Sequence, residues 1–181
     1  RPANSTPTES AGGIYLEGAG TNLGLANSII HGNTAPWGAG IGVSDGAFLS
    51  AVDCDITNNV GLDMLGNGSA GGGIGVINLA SVELTNCTID NNTADNMGGG
   101  LWLSDAEASL TNCVVSLNTA STTSGGGIYA DIGSVLLITG GSINANSVSA
   151  GTGGGLYIHD SFLDIVDGLI TSNQSTAEGG G

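Results

Sequence analysis

Basic residues are all but missing from this chain. Across 181 residues Arg1 is the only Lys or Arg, against 16 acids and a formal net charge of −15. A chain without a cationic surface cannot neutralise phosphates, which argues against nucleic acid as a partner and disfavours anionic membrane surfaces. Cationic ions and cationic surfaces stay open. No stretch approaches the roughly 18 apolar residues of a membrane span, so direct insertion into a bilayer is not expected. Cys54, Cys87 and Cys113 make an odd count without a CxxC pair, neither a disulfide framework nor a zinc spacing. Aromatics are only 4 % of the residues and Pro appears three times. The apolar set falls to Ile, Leu, Val and Ala interleaved with Thr, Ser and Asn, the palette of short strands between turns.

What the chain does have is glycine, 34 of them, in clusters that repeat. "AGGI" ends at Ile14, "GAGI" at Ile41, "GGGI" at Ile74, "GGGL" at Leu101, "GGGI" at Ile128 and "GGGL" at Leu156, intervals of 27, 33, 27, 27 and 28 residues. The long second repeat carries its extra length in "NVGLDMLGNGSA", residues 59–70. A second motif keeps the same phase, a β-branched residue followed two positions later by x-Asn: "IHGN", "ITNN", "IDNN", "VSLN", "INAN" and "ITSN". Repeats of this length with short alternating segments are the mark of a solenoid.

Within the third repeat Ile74 and Val76 share one face, as do Val82 and Leu84. Cys87 and Ile89 share a face out of phase with Val82 and Leu84. A strand cannot change phase without a bend, so Thr85–Asn86 marks a corner. Three short strands per repeat, each with one apolar face, bury those faces by stacking turns about 4.8 Å apart. The expected fold is all-β: a right-handed, three-faced parallel β-helix of six turns, a rod of roughly 29 Å. Residues 1–10 read as a Pro/Ser/Thr leader. Turns start near 11, 38, 71, 98, 125 and 153, and Gly179–Gly181 open an incomplete seventh. That geometry leaves strand edges at the ends, so continuation of a longer chain or end-to-end self-association is expected.

The Asn column, Asn33, Asn59, Asn92, Asn118, Asn146 and Asn173, then stacks as a ladder, each amide donating to one neighbour and accepting from the other. Together, GG[AG][IL] and I-x-x-N resemble the repeats of right-handed parallel β-helix surface proteins. These are the chlamydial polymorphic outer-membrane proteins and related adhesin-type passengers of the pectate-lyase-like superfamily, with Ile or Val here in place of that family's Phe. The resemblance covers residues 11–181 and implies an extracellular or cell-surface setting. Pectate lyases of this fold use an Arg base and Lys/Arg grips for uronates, and this chain offers only Arg1.

Three groups of residues compete for a site. The outward column of the first strand ends in Trp102, Tyr129 and Tyr157, beside Asp105, Asp131, His159 and Asp160. Aromatic platforms next to carboxylates suit a glycan, and paired carboxylates can do glycosidic acid/base work. The structural alternative is a ladder of rings that stabilises one face. Cys54, Cys87 and Cys113 share one inward column with Ser28, Gly141 and Gly168, and read as small core thiols, not as a metal site, since no His stands beside them. The glycine clusters lack the Lys and Ser/Thr of a phosphate loop. No cofactor is expected, and calcium has no motif to support it. The reading is a non-catalytic extracellular structural or adhesin-type rod. The alternative is a carbohydrate-binding or carbohydrate-active module using the aromatic face.

Overall fold

The computed structural model describes residues 11–62 and 69–176. The leader, residues 63–68 of the long second repeat and the seventh-turn glycines 179–181 lie outside the described residues. Twenty-four short strands and no helix occupy the described residues. Each of six turns contributes four of them, in the third turn Ile74–Ile77, Ser81–Thr85, Thr88–Asp90 and Thr93–Ala94. Equivalent strands of successive turns pair in parallel, which builds four six-stranded sheets. In the first sheet the register runs Ile14, Ile41, Ile74, Leu101, Ile128, Leu156, so the repeat ends read from the glycine clusters lie side by side.

The fourth strand corrects the three-strand turn. It is two residues long and follows the repeating Asn directly, as in Thr34–Ala35, Thr93–Ala94 and Thr119–Ala120. Two residues cannot show a period-two alternation, and its inward side chain is small, so the segment reads as a turn. A single-residue bridge column follows it, Trp37, Ala70, Met97, Ser124 and Thr152.

Each change of sheet is made by a residue in the left-handed region. Between the second and third sheets these are Asn27, Asp53, Asn86, Asn112, Gly140 and Asp167. Thus the expected corner at Thr85–Asn86 is the end of one strand followed by Asn86 at φ 52°. Asn and Asp tolerate this backbone, whereas Leu117 at φ 54° and Ile132 at φ 53° adopt it at a cost. The glycine triplets work differently at each position. The first residue needs positive φ, as Gly98 shows at 60°. The third needs the absence of a side chain: a Cβ on Gly100 would sit 2.7 Å from Gly127 O and 2.9 Å from Asn118 Nδ2. The two sequence motifs therefore touch, glycine making the room that the asparagine fills.

The core is a set of apolar stacks inside the coil. Ile41, Ile74, Leu101 and Ile128 form one, and Ile56, Ile89, Val115 and Ile143 another, all buried. Burying side chains of this size is worth about 1.5–3 kcal/mol each, which a single turn cannot obtain alone. The insertion of the second turn leaves this register intact. Its far root, Ser69, is buried, donates to Gly61 O at 2.9 Å and accepts from Asp95 N–H at 2.8 Å.

Candidate functional site

Six asparagines join the third and fourth sheets from one end of the described coil to the other. The backbone N–H and Nδ2 of Asn92 both donate to Asn118 Oδ1, at 2.9 and 3.0 Å, and Nδ2 also donates to Ile56 O at 2.8 Å. The same three contacts recur from Asn59, from Asn118 and from Asn146. Asn59, Asn92, Asn118 and Asn146 are fully buried, and each uses both N–H bonds and accepts twice on Oδ1. Aspartate has no donor for this, and serine no second one.

The ladder has a direction. Asn33 donates to Asn59 Oδ1 at 3.0 and 2.9 Å, but among the described residues nothing donates to Asn33 Oδ1. At the other end Asn173 accepts from Asn146 and donates to Ile143 O at 2.9 Å, and among the described residues its backbone N–H and second amide hydrogen have no acceptor. Among the described residues, one end of the stack thus presents an acceptor and the other presents donors.

Outside the first sheet, register places Tyr15, Gly42, Gly75, Trp102, Tyr129 and Tyr157 side by side. Trp37, which sequence reasoning missed, fills the gap left by the two glycines. A Cβ on Gly75 would lie 2.8 Å from its Nε1, and the ring lies edge-on to Tyr15 at 5.9 Å and to Trp102 at 6.4 Å. The usable signal was the glycine pair at 42 and 75 inside an aromatic column. Trp37 is buried and Trp102 half-buried against it, so Trp102 belongs to a packed cluster with Met97, not to an open stripe.

The remaining two rings do form a platform. Tyr129 and Tyr157 stack at 5.0 Å with planes 15° apart, and His159 continues the stack at 6.4 Å. Asp131, two residues along the strand from Tyr129 and next to Ser104 in register, has Oδ1 buried and without a hydrogen-bond partner. Burial raises its carboxyl above the ordinary value, partly offset by the neighbouring Ser104 and Tyr129 hydroxyls and by nearby His159. Burial, then the Asp131 carboxylate, pushes the Tyr129 phenol up to about 12. Asp105 and Asp160 are exposed at the following corner, with Asp160 3.8 Å from His159 Nδ1. His31 is also exposed, 3.3 Å from both Thr57 Oγ1 and Asn58 Nδ2.

Cys54, Cys87 and Cys113 point into the core as free thiols. No protein-family model matches the chain, and no curated protein or solved structure matches it either.

Proposed function

We propose that the chain is a non-catalytic structural rod, a stiff segment of an extracellular surface fibre or adhesin-type passenger whose turns continue end to end. The observation that supports this reading is the polarity of the Asn ladder: among the described residues, an acceptor at Asn33 and donors at Asn173 have no rung to meet. The next rung is a further turn of the same repeat, supplied by a longer chain or by a second copy. The likeness of GG[AG][IL] and I-x-x-N to the repeats of polymorphic outer-membrane and adhesin-type passenger proteins supports a cell-surface setting. So does the near-absence of Lys and Arg, which leaves trypsin-type proteases almost nothing to cut. The −15 charge opposes self-association, and salt screens that repulsion beyond about 10 Å at 0.1 M. Sedimentation velocity across a salt series tests the reading: the expected result is single rods at low salt and growing multiples at high salt. A single species at every salt and protein concentration removes the self-assembly version.

A second reading rests on the Tyr129–Tyr157 platform beside Asp131, whose geometry suits the face of a sugar ring. Retention on a panel of neutral and acidic polysaccharides, with and without calcium, checks it, together with an assay for new reducing ends. No retention by the chain, or equal retention by Tyr157→Ala, discards this reading without touching the first.

A further inference from the structure

Every second residue of the second sheet points outward, and the outward set runs in columns along the rod. Over turns two to five the first column reads Phe48, Ser81, Glu107, Val135 and the second Ser50, Glu83, Ser109, Leu137. Serine and glutamate exchange places between the third and fourth turns, so the two serines lie on one diagonal and the two glutamates on the other. Small side chains among larger ones leave a groove of about 270 Å³, which Phe48 lines from the second turn and Val135 and Leu137 from the fifth. Glu83 and Glu107 are exposed, and among the described residues neither meets a cation. Leu137 is exposed as well. A second groove, of about 330 Å³, adjoins the first at Glu107 and Val135 and is bordered by Leu79, which keeps 77 % of its surface.

This face is apolar at both ends and acidic in the middle, and that mixture selects its occupant. A second copy brings the same carboxylates and, beyond Arg1, no Lys or Arg to pair with them. A polyamine pairs with the carboxylates but leaves Phe48, Val135 and Leu137 facing water. An extended peptide can meet both needs. Three turn-to-turn steps of about 4.8 Å place Phe48 and Val135 about 14 Å apart. In an extended chain the side chains of one face recur every second residue, so positions i and i+4 stand about 13 Å apart.

We propose that the outward face of the second sheet docks an extended cationic peptide segment of a partner protein, lying along the rod. Its pattern is apolar–x–cation–x–apolar. One apolar side chain rests on Phe48, the other on Val135 and Leu137, and an Arg or Lys at the centre lies between Glu83 and Glu107. Arg suits the centre best, because its planar fork carries five N–H donors and can serve two carboxylates at once. The net charge of −15 draws such a segment toward the rod, and the carboxylate pair fixes its position along the groove.

The test is titration of the folded chain against an end-blocked, fluorophore-labelled peptide, read by anisotropy. The peptide carries leucine, arginine and leucine at alternate positions in a Gly/Ser/Thr background. The expected result is saturable binding. Affinity falls about tenfold when Glu83→Gln and Glu107→Gln are combined, and about threefold in Leu137→Ser. It is unchanged when Glu17→Gln and Asp55→Asn are combined, a pair that removes the same charge from exposed positions on the first and third sheets. Equal binding of a peptide of the same composition with its arginine moved to one end, or displacement by spermine as effective as by unlabelled peptide, shows attraction by charge alone and overturns the proposal. So does an absence of binding, or an equal loss in the Glu17 and Asp55 variant.

Discussion

The middle turns and the outermost turns are written in the same repeat, yet only the middle ones close it. Leu49, Ile56, Leu101 and Ile128 are wholly shielded, while the inward residues Ile14, Leu23, Leu156 and Leu163 are only half-buried and Ile170 keeps 38 % of its surface. The asparagines divide the same way. Asn92 and Asn118 spend every N–H and accept twice on Oδ1, whereas among the described residues Asn33 and Asn173 each have a neighbouring rung on one side only. A turn of this coil is therefore not a stable unit. Its stability is lent by the turns above and below, and among the described residues the outermost turns have such a neighbour on one side only.

The sharpest way to break that contrast is to remove a rung at each place. Asn118→Ala strips the acceptor from two Asn92 N–H groups and the donors from Ile89 O and Asn146 Oδ1. It is expected to cost roughly 3–4 kcal/mol, since buried groups lose their partners. Asn33→Ala removes only one donor at the edge and is expected to cost about 1 kcal/mol. Urea unfolding followed by circular dichroism measures both, and equal costs would dissolve the distinction.

Glycine substitutions give the next largest effect. A Cβ on Gly127 would meet Gly155 O at 2.6 Å and Asn146 at 2.9 Å, while one on Gly24, in the first turn, meets nothing within 4 Å. Gly127→Ala is expected to lower stability by roughly 2–3 kcal/mol and Gly24→Ala to change it by less than about 0.5 kcal/mol. A comparable loss at both positions would contradict the account of why the triplets are glycine.

Much of this contrast can be read from the chain, and the reason is periodicity. The glycine triplet and I-x-x-N each do a job that few residues can do, room for a carbonyl in one case and a two-sided amide in the other. Both therefore recur at fixed phase and mark the turn. The fourth strand was illegible because its two residues carry no alternation and its side chains are small. Trp37 was illegible for a different reason. It lies in the variable link before the triplet, and its role depends on Gly42 and Gly75 lying beside it across sheet register, which no local window contains. The corner columns fall between these cases, with Asn58 and Asn91 in the favoured residue type and Leu117 in an unfavoured one at the same position.

That exception gives a smaller, stabilising effect. Leu117 is 55 % exposed at positive φ, so Leu117→Asn is expected to add about 1 kcal/mol by relieving the backbone. No gain in the urea midpoint would mean that the left-handed corner is not strained there. The smallest effect lies on the outer face. Asp131 holds its proton more tightly when folded than when unfolded, so its contribution to stability is present below the ordinary carboxylate pKa of 3.8 and is lost as pH rises through the raised folded value. Asp131→Asn is therefore expected to melt higher than the parent at pH 7 and at the same temperature as the parent in acid below the carboxylate range. The same offset at both pH values would contradict a buried, raised carboxyl.

Electron microscopy of the protein concentrated in high salt tests the central claim, that the open rungs at the two ends are partners for one another. Six turns at about 4.8 Å advance the rod by about 29 Å, so stacking in register should give filaments with a 29 Å axial repeat and a 4.8 Å reflection along the same axis. Isolated single rods under those conditions, or filaments whose 4.8 Å spacing breaks between copies, would contradict it.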